Sequence, residues 1–149
     1  MSKVILVDMD GTIADSDHRE HYLYVRPKNW TAYYSEALMD TPYEDIIWLV
    51  KTLKEAGNTI LIVTARSDEY RGVTEQWLIE KAGLEGIYDK VYMREEGDYR
   101  DDNIVKREIL KNIRLDGYDP YMALDDRGMV VDMWRQEGIR CLQVKDGGY

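Results

Sequence analysis

The feature that most constrains this chain is a short apolar run, Lys3 to Val7, that leads directly into Asp8-Met9-Asp10-Gly11-Thr12. The run has no polar alternation, which is typical of a central parallel strand that is covered on both faces. An acidic motif with glycine then favours a turn out of the strand, although a turn can use Asp and Gly without any function. The sequence therefore predicts a buried strand that presents carboxylates at its carboxyl end.

Other segments continue this pattern. Strand-like composition recurs at Thr59 to Val63, Tyr121 to Leu124, Lys90 to Met93 and Arg140 to Val144. Apolar residues recur at helical spacing in 46–56, 73–82, 104–113 and 130–136. Strands that alternate with helices predict an α/β fold with a central, mainly parallel sheet of about five strands.

Length and composition limit the possible architectures. A chain of 149 residues with 44% hydrophobic residues is long enough for one compact domain, which we expect to span residues 1–149. No apolar stretch approaches the roughly 20 residues of a membrane-spanning helix, and the first residues do not resemble a secretory signal. We therefore expect a cytoplasmic protein with no membrane partner. Cys141 is the only cysteine, which excludes an internal disulfide, and its apolar neighbours predict a buried thiol.

The charge distribution indicates a metal. The net charge of −9 disfavours a protein that coats long nucleic acid, because that mode needs a broad basic face. This net charge still allows the protein to bind one phosphorylated end of a nucleic acid. Part of the acidic excess is clustered, as in Asp8-Met9-Asp10, Asp101-Asp102 and Asp125-Asp126. Such like charges repel one another unless a cation lies between them.

Polar residues follow several of the predicted strands. Asp8 to Thr12 follows the first, Thr64-Ala65-Arg66 the second and Asp125-Asp126-Arg127 the fourth, while Lys106 lies in the helix after the third. Ligands of parallel α/β sheets bind beyond the carboxyl ends of the strands. These residues are therefore expected to converge on a site for phosphate and metal.

The chemistry of these residue types is consistent with phosphoryl transfer. Asp8 can attack phosphorus and form an acyl-phosphate, and Asp10 can act as general acid and base, for which we expect a raised pKa. Mg²⁺ prefers carboxylate oxygens, which Asp8, the Asp10 carbonyl and Asp125 can provide, with Asp126 nearby. The remaining two residues, Thr64 and Lys106, can donate to a phosphoryl oxygen and neutralise charge. Each of these residues also has an interpretation without catalysis. Asp125 and Asp126 can lie at a helix N-terminus, Thr64 can cap a helix, and Lys106 can be a solvated surface lysine.

The motifs together resemble those of the haloacid dehalogenase superfamily: an apolar run with DxDGT, the threonine after the second strand, the lysine and the paired aspartates. The resemblance spans nearly the whole chain and implies a Rossmann-like three-layer α/β/α fold with a small helical cap insert, here residues 13–42. Within the superfamily, the segments 94–109 and 123–144 resemble the phosphatase domain of bacteriophage polynucleotide kinase-phosphatases. No GxxxxGK[ST] motif is present, so no kinase activity is expected of these residues.

The second resemblance implies a substrate. The similar phage domains remove 3′-phosphates from nucleic-acid ends, and the resemblance implies substrate-binding roles for Arg19, Arg66 and Asp102, to which we add Arg127. Asp102 can instead be a helix cap. Arg19 and Arg66 can instead form surface salt bridges. The expected partners are thus 3′-phosphorylated DNA or RNA ends, or nucleotides; the oligomeric state is left open.

Two further functions remain open. Asp15-Ser16 gives the form DGTxxDS, which is common in small-molecule phosphatases of the superfamily, so a nucleotide or small-metabolite phosphatase is one alternative. A catalytically silent binding module with the same fold is the other.

The insert is rich in aromatic and basic residues: Tyr22, Tyr24, Trp30, Tyr33, Tyr34, Arg19, Arg26 and Lys28. This composition fits base stacking beside phosphate contacts, or a small hydrophobic subcore. His18 and His21 are expected to be exposed residues of the insert.

Overall fold

The computed structural model describes residues 2–148, so Met1 and Tyr149, the ends of the predicted domain, lie outside the described residues. The strands are β1 (Val4–Val7), β2 (Ala14–Asp15), β3 (Thr41–Pro42), β4 (Thr59–Ser67), β5 (Lys90–Arg94), β6 (Pro120–Asp125) and β7 (Arg140–Gln143). The α-helices are α1 (Trp30–Ser35), α2 (Glu44–Glu55), α3 (Arg71–Glu80), α4 (Asp102–Leu115) and α5 (Gly128–Gln136). Short 3-10 helices cover Asp17–Leu23, Ala37–Met39 and Asp68–Tyr70.

Five strands form one sheet in the order β5-β4-β1-β6-β7, and every neighbouring pair is parallel. β1 is central, with Val7 opposite Ile62 of β4 and Leu124 of β6. Its uninterrupted apolar sequence follows from this position, because a central parallel strand is buried on both faces. The predicted five-stranded parallel sheet is confirmed.

Helices cover both faces of the sheet. On one face, Ile5 packs with residues of α2 and α3, among them Val50 and Trp77. On the other face, Leu6 packs with residues of α4 and α5, among them Ile109. Successive residues of a strand point to opposite faces, so β1 contributes to both halves of the core. The result is the three-layer α/β/α arrangement that the resemblance implied.

The strand order creates a crevice at the carboxyl end of β1. The chain passes from β1 to β4 and β5, and then crosses to the other side of β1 to form β6 and β7. Parallel α/β sheets bind ligands where the strand order changes direction in this way. Because β1 ends at Val7, the segment from Asp8 to Thr12 emerges into this crevice.

The insert, residues 13–42, is tied together at its two ends by a small sheet that the sequence did not predict. In the antiparallel pair of β2 and β3, Ala14 lies opposite Pro42 and Asp15 opposite Thr41. The segment between them is largely helical, as expected, although most of its turns are 3-10 rather than α. This pairing brings the end of the insert back to the loop that follows β1.

Two boundaries differ from the sequence-based expectation. β4 extends to Ser67 because its pairing with β5 resumes where Ser67 lies opposite Arg94, so Thr64 and Arg66 lie within the strand rather than after it. Asp125 similarly closes β6. Among residues 2–148, no helix combines the length and the apolar character needed to cross a membrane.

Candidate active site

Three carboxylates meet at the carboxyl end of β1, and we call them the carboxylate cluster: Asp8, Asp125 and Asp126. All three residues are at least 93% buried, the most exposed being Asp8 at 7%. Lys106 of α4 donates to Asp8 Oδ1 over 2.7 Å and to Asp125 Oδ2 over 2.9 Å. The Thr12 hydroxyl donates to Asp8 Oδ2 over 2.9 Å. The structure therefore brings together the predicted nucleophile, the lysine and the acidic pair.

The electrostatics of the cluster are only partly balanced. Burial and the nearby charge of Asp125 raise the pKa of Asp8 well above its ordinary value, although Lys106 acts in the opposite direction. Burial acts to lower the pKa of Lys106, but Asp125 and Asp8 hold it above its ordinary value, so the lysine stays charged. Two carboxylates that share a buried site repel each other unless a cation intervenes. One ammonium group does not fully offset this repulsion at Asp8.

The cluster fits a magnesium ion. One oxygen from each carboxylate lies within 4.8 Å of the others. Magnesium–oxygen bonds are about 2.1 Å long, so ligand oxygens on opposite sides of the ion lie about 4.2 Å apart. The donors are all oxygens, as Mg²⁺ prefers. Gly11 faces the same space, with a φ of +86°, and a Cβ there would lie 2.0 Å from Asp126 Oδ2. Any larger residue at position 11 would therefore intrude on the cluster.

A second group of charged side chains lies toward the insert, and we call it the arginine cluster: Asp10, Arg19, Asp40 and Arg66. Arg66 donates to both Asp10 oxygens, from Nη2 over 2.6 Å and from Nε over 3.0 Å. Arg19 Nη2 donates to Asp10 Oδ1 over 3.1 Å. Such paired contacts with a carboxylate fix the planes of both groups. The carboxylate of Asp10 is thus turned toward the arginines rather than toward the carboxylate cluster.

Asp40 organises the arginine cluster and was not found by sequence reasoning. Its side chain is fully buried, and it accepts from Arg19 Nε and Nη2, each over 2.8 Å, and from Arg66 Nη2 over 3.1 Å. Its backbone oxygen accepts from Trp77 Nε1 over 2.9 Å. The sequence offered no signal, because an aspartate before a Thr-Pro pair is common in turns. Only the pairing of β2 with β3 brings it here.

The pKa expected for Asp10 was wrong. Burial does act to raise it, but the charge and hydrogen bonds of Arg66, together with Arg19, hold the pKa of this carboxyl below its ordinary value. Nearby positive charge favours the ionised form of a carboxyl. Asp10 therefore rests as a carboxylate, with 29% of its side chain exposed to the crevice.

Arg19 and Arg66 are not surface residues, which corrects the salt-bridge alternative for both. Their exposed fractions are 0% and 1%, and they rank among the largest fully buried side chains. The Arg19 guanidinium also lies 4.1 Å from the centre of the Tyr33 ring. Thr64, on β4, is equally buried, and its hydroxyl accepts from the Arg66 backbone N–H over 3.2 Å. Thr64 thus lies beside the arginine cluster and caps no helix.

Asp102 and Arg127 form a third group, beside the first two. Asp102 accepts from Arg94 Nη2 over 2.7 Å, and it also accepts from Arg127 Nη1. Asp101, and not Asp102, occupies the cap position of α4, and its side chain makes no capping hydrogen bond. The cap interpretation of Asp102 is therefore wrong. Arg94, whose Nε donates to the Ala65 backbone oxygen over 2.8 Å, was not singled out from the sequence.

Other residues that support the site were also missed or misread. Trp134 lies in the core, and its Nε1 donates to Asp125 Oδ2 over 3.2 Å. His18 is exposed as expected, with 37% of its side chain accessible, yet its Nε2 lies 2.7 Å from Asp40 Oδ1. Cys141 is buried as predicted, and burial raises the pKa of its thiol to about 12.

The aromatic residues of the insert divide into two kinds. Tyr33 and Tyr34 are buried, at 8% exposure each, which supports the subcore interpretation for these two residues. Trp30 and Tyr24 are 43% and 74% exposed. Trp30 stacks on Tyr34 with ring centres 6.0 Å apart, and Tyr34 stacks on Tyr70 over 4.1 Å. The insert therefore combines a small core with exposed aromatic surface.

Comparison with known structures first defines the class. The fold matches a haloacid dehalogenase-like hydrolase from Streptococcus pneumoniae with a TM-score of 0.70 and 13% identity, over 94% of this chain and 83% of that one. A similar match, with a TM-score of 0.65 and 16% identity, covers 95% of this chain and 83% of a predicted phosphatase from Clostridium acetobutylicum. At these identities the likeness shows the fold alone, which is that of the haloacid dehalogenase superfamily.

A second comparison identifies the family to which the chain belongs. The model of the polynucleotide kinase PNKP phosphatase domain matches residues 2–149, and the chain belongs to this family of haloacid dehalogenase phosphatases. It is 32% identical to a chain in the solved structure of the Pnkp1/Rnl/Hen1 RNA repair complex, with a TM-score of 0.82 over all of this chain and 44% of that one. A second structure of the Pnkp1/Rnl/Hen1 complex gives the same identity and TM-score over 48% of its chain. The present chain thus spans less than half the length of these relatives.

Proposed function

We propose that this chain is a Mg²⁺-dependent polynucleotide 3′-phosphatase that acts through an aspartyl-phosphate on Asp8. The observation that carries the proposal is the pair of clusters on either side of the loop from Asp8 to Thr12. One cluster presents a buried carboxylate held by Lys106, and the other presents a carboxylate bound by two arginines. A nucleophile and an acid-base group with separate surroundings are what a two-step phosphoryl transfer requires.

In the first step, an Asp8 oxygen attacks the phosphorus atom, and the bond from phosphorus to the ester oxygen breaks. Lys106 contacts Asp8 Oδ1 and so orients the carboxylate while balancing part of the charge on the transferring group. Asp10 delivers a proton to the leaving oxygen. Although Asp10 rests as a carboxylate, a phosphate dianion beside it would raise its pKa toward the value needed for a proton donor.

In the second step, water attacks the phosphorus of the aspartyl-phosphate, and the bond from phosphorus to the Asp8 oxygen breaks. Asp10 accepts the proton of this water, which restores the protonated form that began the first step, and it loses that proton to solvent as inorganic phosphate leaves. Arg66 and Arg19 stabilise the ionised form of Asp10, which is the form that can accept this proton. Asp40 keeps both arginines in place throughout.

Asp8, Asp125 and Asp126 would hold Mg²⁺, with the Asp10 backbone carbonyl as a further ligand. When bound, the ion supplies charge neutralisation between the carboxylates and the substrate phosphate. We propose that Thr64, on the strand next to β1, donates to a phosphoryl oxygen of the substrate, since its hydroxyl accepts from the Arg66 backbone N–H and retains its own proton to donate. We also propose that residues 13–42 act as a cap that covers the arginine side of this crevice.

Several features support a nucleic-acid end as the substrate. The family is that of the polynucleotide kinase phosphatase domain, and the 32% identical relatives occur in an RNA repair complex, which favours RNA ends. Asp102 links Arg94 and Arg127 beside the crevice, where these arginines can contact the chain next to the scissile phosphate. By contrast, Asp15 of the DGTxxDS form accepts from the Asp17 backbone N–H over 3.1 Å, a local role that gives no support to a small-metabolite substrate.

The test is phosphate release from 3′-phosphorylated RNA and DNA oligonucleotides, their 5′-phosphorylated counterparts and 3′-mononucleotides, with Mg²⁺ or with EDTA. We expect Mg²⁺-dependent release mainly from the 3′-phosphorylated oligonucleotides and none from the Asp8→Asn protein. Faster turnover of mononucleotides would replace the substrate but retain the mechanism. No release from any of them by the native protein would favour a binding module.

A further inference from the structure

A cleft separates the insert from the rest of the chain, and nothing in the mechanism above uses it. We call it the aromatic cleft. Helix α1 of the insert contributes Thr31, Tyr34 and Ser35 to one wall, and the segment from Glu69 to Val73 forms the other wall. Its volume is about 380 Å³. Small-molecule sites of roughly 300–1,000 Å³ are commonly found between structural units of this kind.

Each wall of the cleft carries a tyrosine ring, and a tryptophan ring lies beside one of them. Tyr34 and Tyr70 stack with ring centres 4.1 Å apart and an interplanar angle of 18°, and Trp30 extends the stack beyond Tyr34 at an angle of 20°. Because Trp30 and Tyr70 stack on Tyr34, the ring face that remains for a nucleobase is the face of Tyr70 that points away from Tyr34.

Residues of the cleft walls, or next to them, contact the arginine cluster. Thr74, which follows Val73 of the cleft wall, accepts from Arg66 Nη1 over 3.3 Å, and Arg66 holds Asp10. Burial and then the charge of Asp10 raise the pKa of Tyr34, which places this ring within electrostatic reach of the predicted acid-base group. Thr74 and Tyr34 therefore link the walls of the cleft to the arginine cluster.

The charge of the cleft selects the kind of group that it can accept. Glu69 contributes a carboxylate, which repels phosphate and favours a neutral group that carries N–H donors. The hydroxyl groups of Thr31 and Ser35 add further polar contacts at the same wall. A nucleobase combines the flat apolar faces and polar edges that this lining can bind.

We propose that the aromatic cleft binds the base of the terminal nucleotide, the one that carries the 3′-phosphate. This inference rests on the proposed function and deepens it, because it makes base stacking part of substrate recognition. The phosphate would lie at the carboxylate cluster, the sugar beside Asp10, and the base between α1 and the start of α3. Stacking tolerates every base, so recognition would not depend on sequence.

The test compares two 3′-phosphorylated oligonucleotides that differ only in whether the terminal nucleotide has a base or is abasic. We expect the native protein to show a KM for the abasic substrate that is higher by roughly 5- to 100-fold, the range measured for loss of one stacked base. Tyr70→Leu keeps the bulk but removes the aromatic face, so it should raise KM for the base-bearing substrate by a similar factor and leave the abasic KM unchanged. Its kcat should change little.

Two further variants serve as controls. Tyr70→Phe retains the ring and should preserve the native KM. Tyr121→Leu removes an exposed tyrosine of β6 that contacts Lys3, away from the cleft, and should change neither KM. Equal KM values of the native protein for the two substrates, or an equal rise in both KM values with Tyr70→Leu, would overturn the base subsite while leaving the 3′-phosphatase intact. A native protein that releases phosphate from neither substrate would instead overturn the proposed function, and the base subsite with it.

Discussion

Asp8 and Asp10 are separated by one residue, yet their carboxylates lie in opposite electrostatic surroundings. In the carboxylate cluster, burial and Asp125 raise the pKa of Asp8 despite its contact with Lys106. In the arginine cluster, Arg66 and Arg19 hold the pKa of Asp10 below its ordinary value despite burial. In the first cluster one ammonium group, that of Lys106, only partly compensates three carboxylates, whereas in the second two guanidinium groups face two carboxylates.

This difference shows how one short loop can serve two chemical roles. The chain turns tightly after Asp8, where the Met9 backbone oxygen accepts from the Thr12 and Ile13 N–H groups, so Asp8 and Asp10 reach different neighbours although they are close in sequence. A site with incomplete charge compensation attracts a cation and a phosphate that arrives with it. A site with complete compensation maintains a carboxylate in a fixed position. The following predictions test whether the two clusters behave in these different ways.

The largest effect is expected for Asp8→Asn. Removing the nucleophile should lower kcat by at least roughly 10⁴-fold, as for other covalent catalysts. The melting temperature should nevertheless not fall. A carboxyl whose pKa is higher in the folded than in the unfolded chain costs stability once it is ionised, so at neutral pH the neutral amide removes a cost. Phosphate release and thermal melting measure the two effects, and a large drop in melting temperature would contradict the description of this cluster.

Arg66→Met should have the opposite signature in stability. The change leaves the Asp10 and Asp40 carboxylates with less buried positive charge, and breaking a buried pair in this way typically costs about 3–5 kcal/mol. We therefore expect a marked fall in the urea midpoint as well as lost activity. Arg100→Met, which removes an exposed arginine bound to Asp98 and Glu108, is the matched control and should barely move the midpoint. Equal shifts would show that the arginine cluster adds no particular stability.

Asp40→Asn tests whether the arginines are positioned by this residue. The amide cannot accept from both arginines as a carboxylate does, so Arg19 and Arg66 should lose their fixed orientation. Misplacement of catalytic groups by about 1 Å can cost roughly 10²-fold in rate, and we expect a fall in kcat of this order. The Mg²⁺ concentration needed for half-maximal activity should stay unchanged, because Asp40 lies outside the carboxylate cluster. A changed Mg²⁺ requirement would contradict the separation of the two clusters.

The smallest effect concerns stabilisation by metal. On the proposed function Mg²⁺ binds the folded chain, so the native protein should gain about 2.7 kcal/mol at a concentration 100 times the Kd. This gain should appear as a rise in melting temperature. Asp126→Asn should lose most of the rise, whereas Asp40→Asn should retain it. An equal rise in all three proteins would place the ion elsewhere.

The sequence and the structure agree best where the signal is local. The apolar strand of β1, the motif that follows it and the helix that carries Lys106 were recognised from consecutive residues or helical spacing. The resemblance added the fold, because several such motifs occur in the right order. For this reason the carboxylate cluster could be assembled before its geometry was known.

The arginine cluster was understood only in part, because its structure depends on distant contacts. Arg19 and Arg66 were singled out through the resemblance, but their burial and their binding to Asp10 were not foreseen. Asp40 was missed because its position depends on the two-residue strands β2 and β3, which are too short to show a periodic pattern. The direction of the Asp10 pKa was wrong for the same reason. A pKa is set by neighbours in space, which spacing along the chain does not reveal.

The central claim is that Asp8 becomes phosphorylated while Asp10 handles the protons, and the Asp10→Asn protein tests it most directly. With p-nitrophenyl phosphate and Mg²⁺, the leaving group departs without an acid, but the aspartyl-phosphate cannot be hydrolysed efficiently without a base. Mass spectrometry of acid-quenched protein should show one phosphoryl group on the peptide that contains Asp8, and none in the Asp8→Asn protein. An unmodified Asp8, or a phosphoryl group on another residue, would contradict the claim.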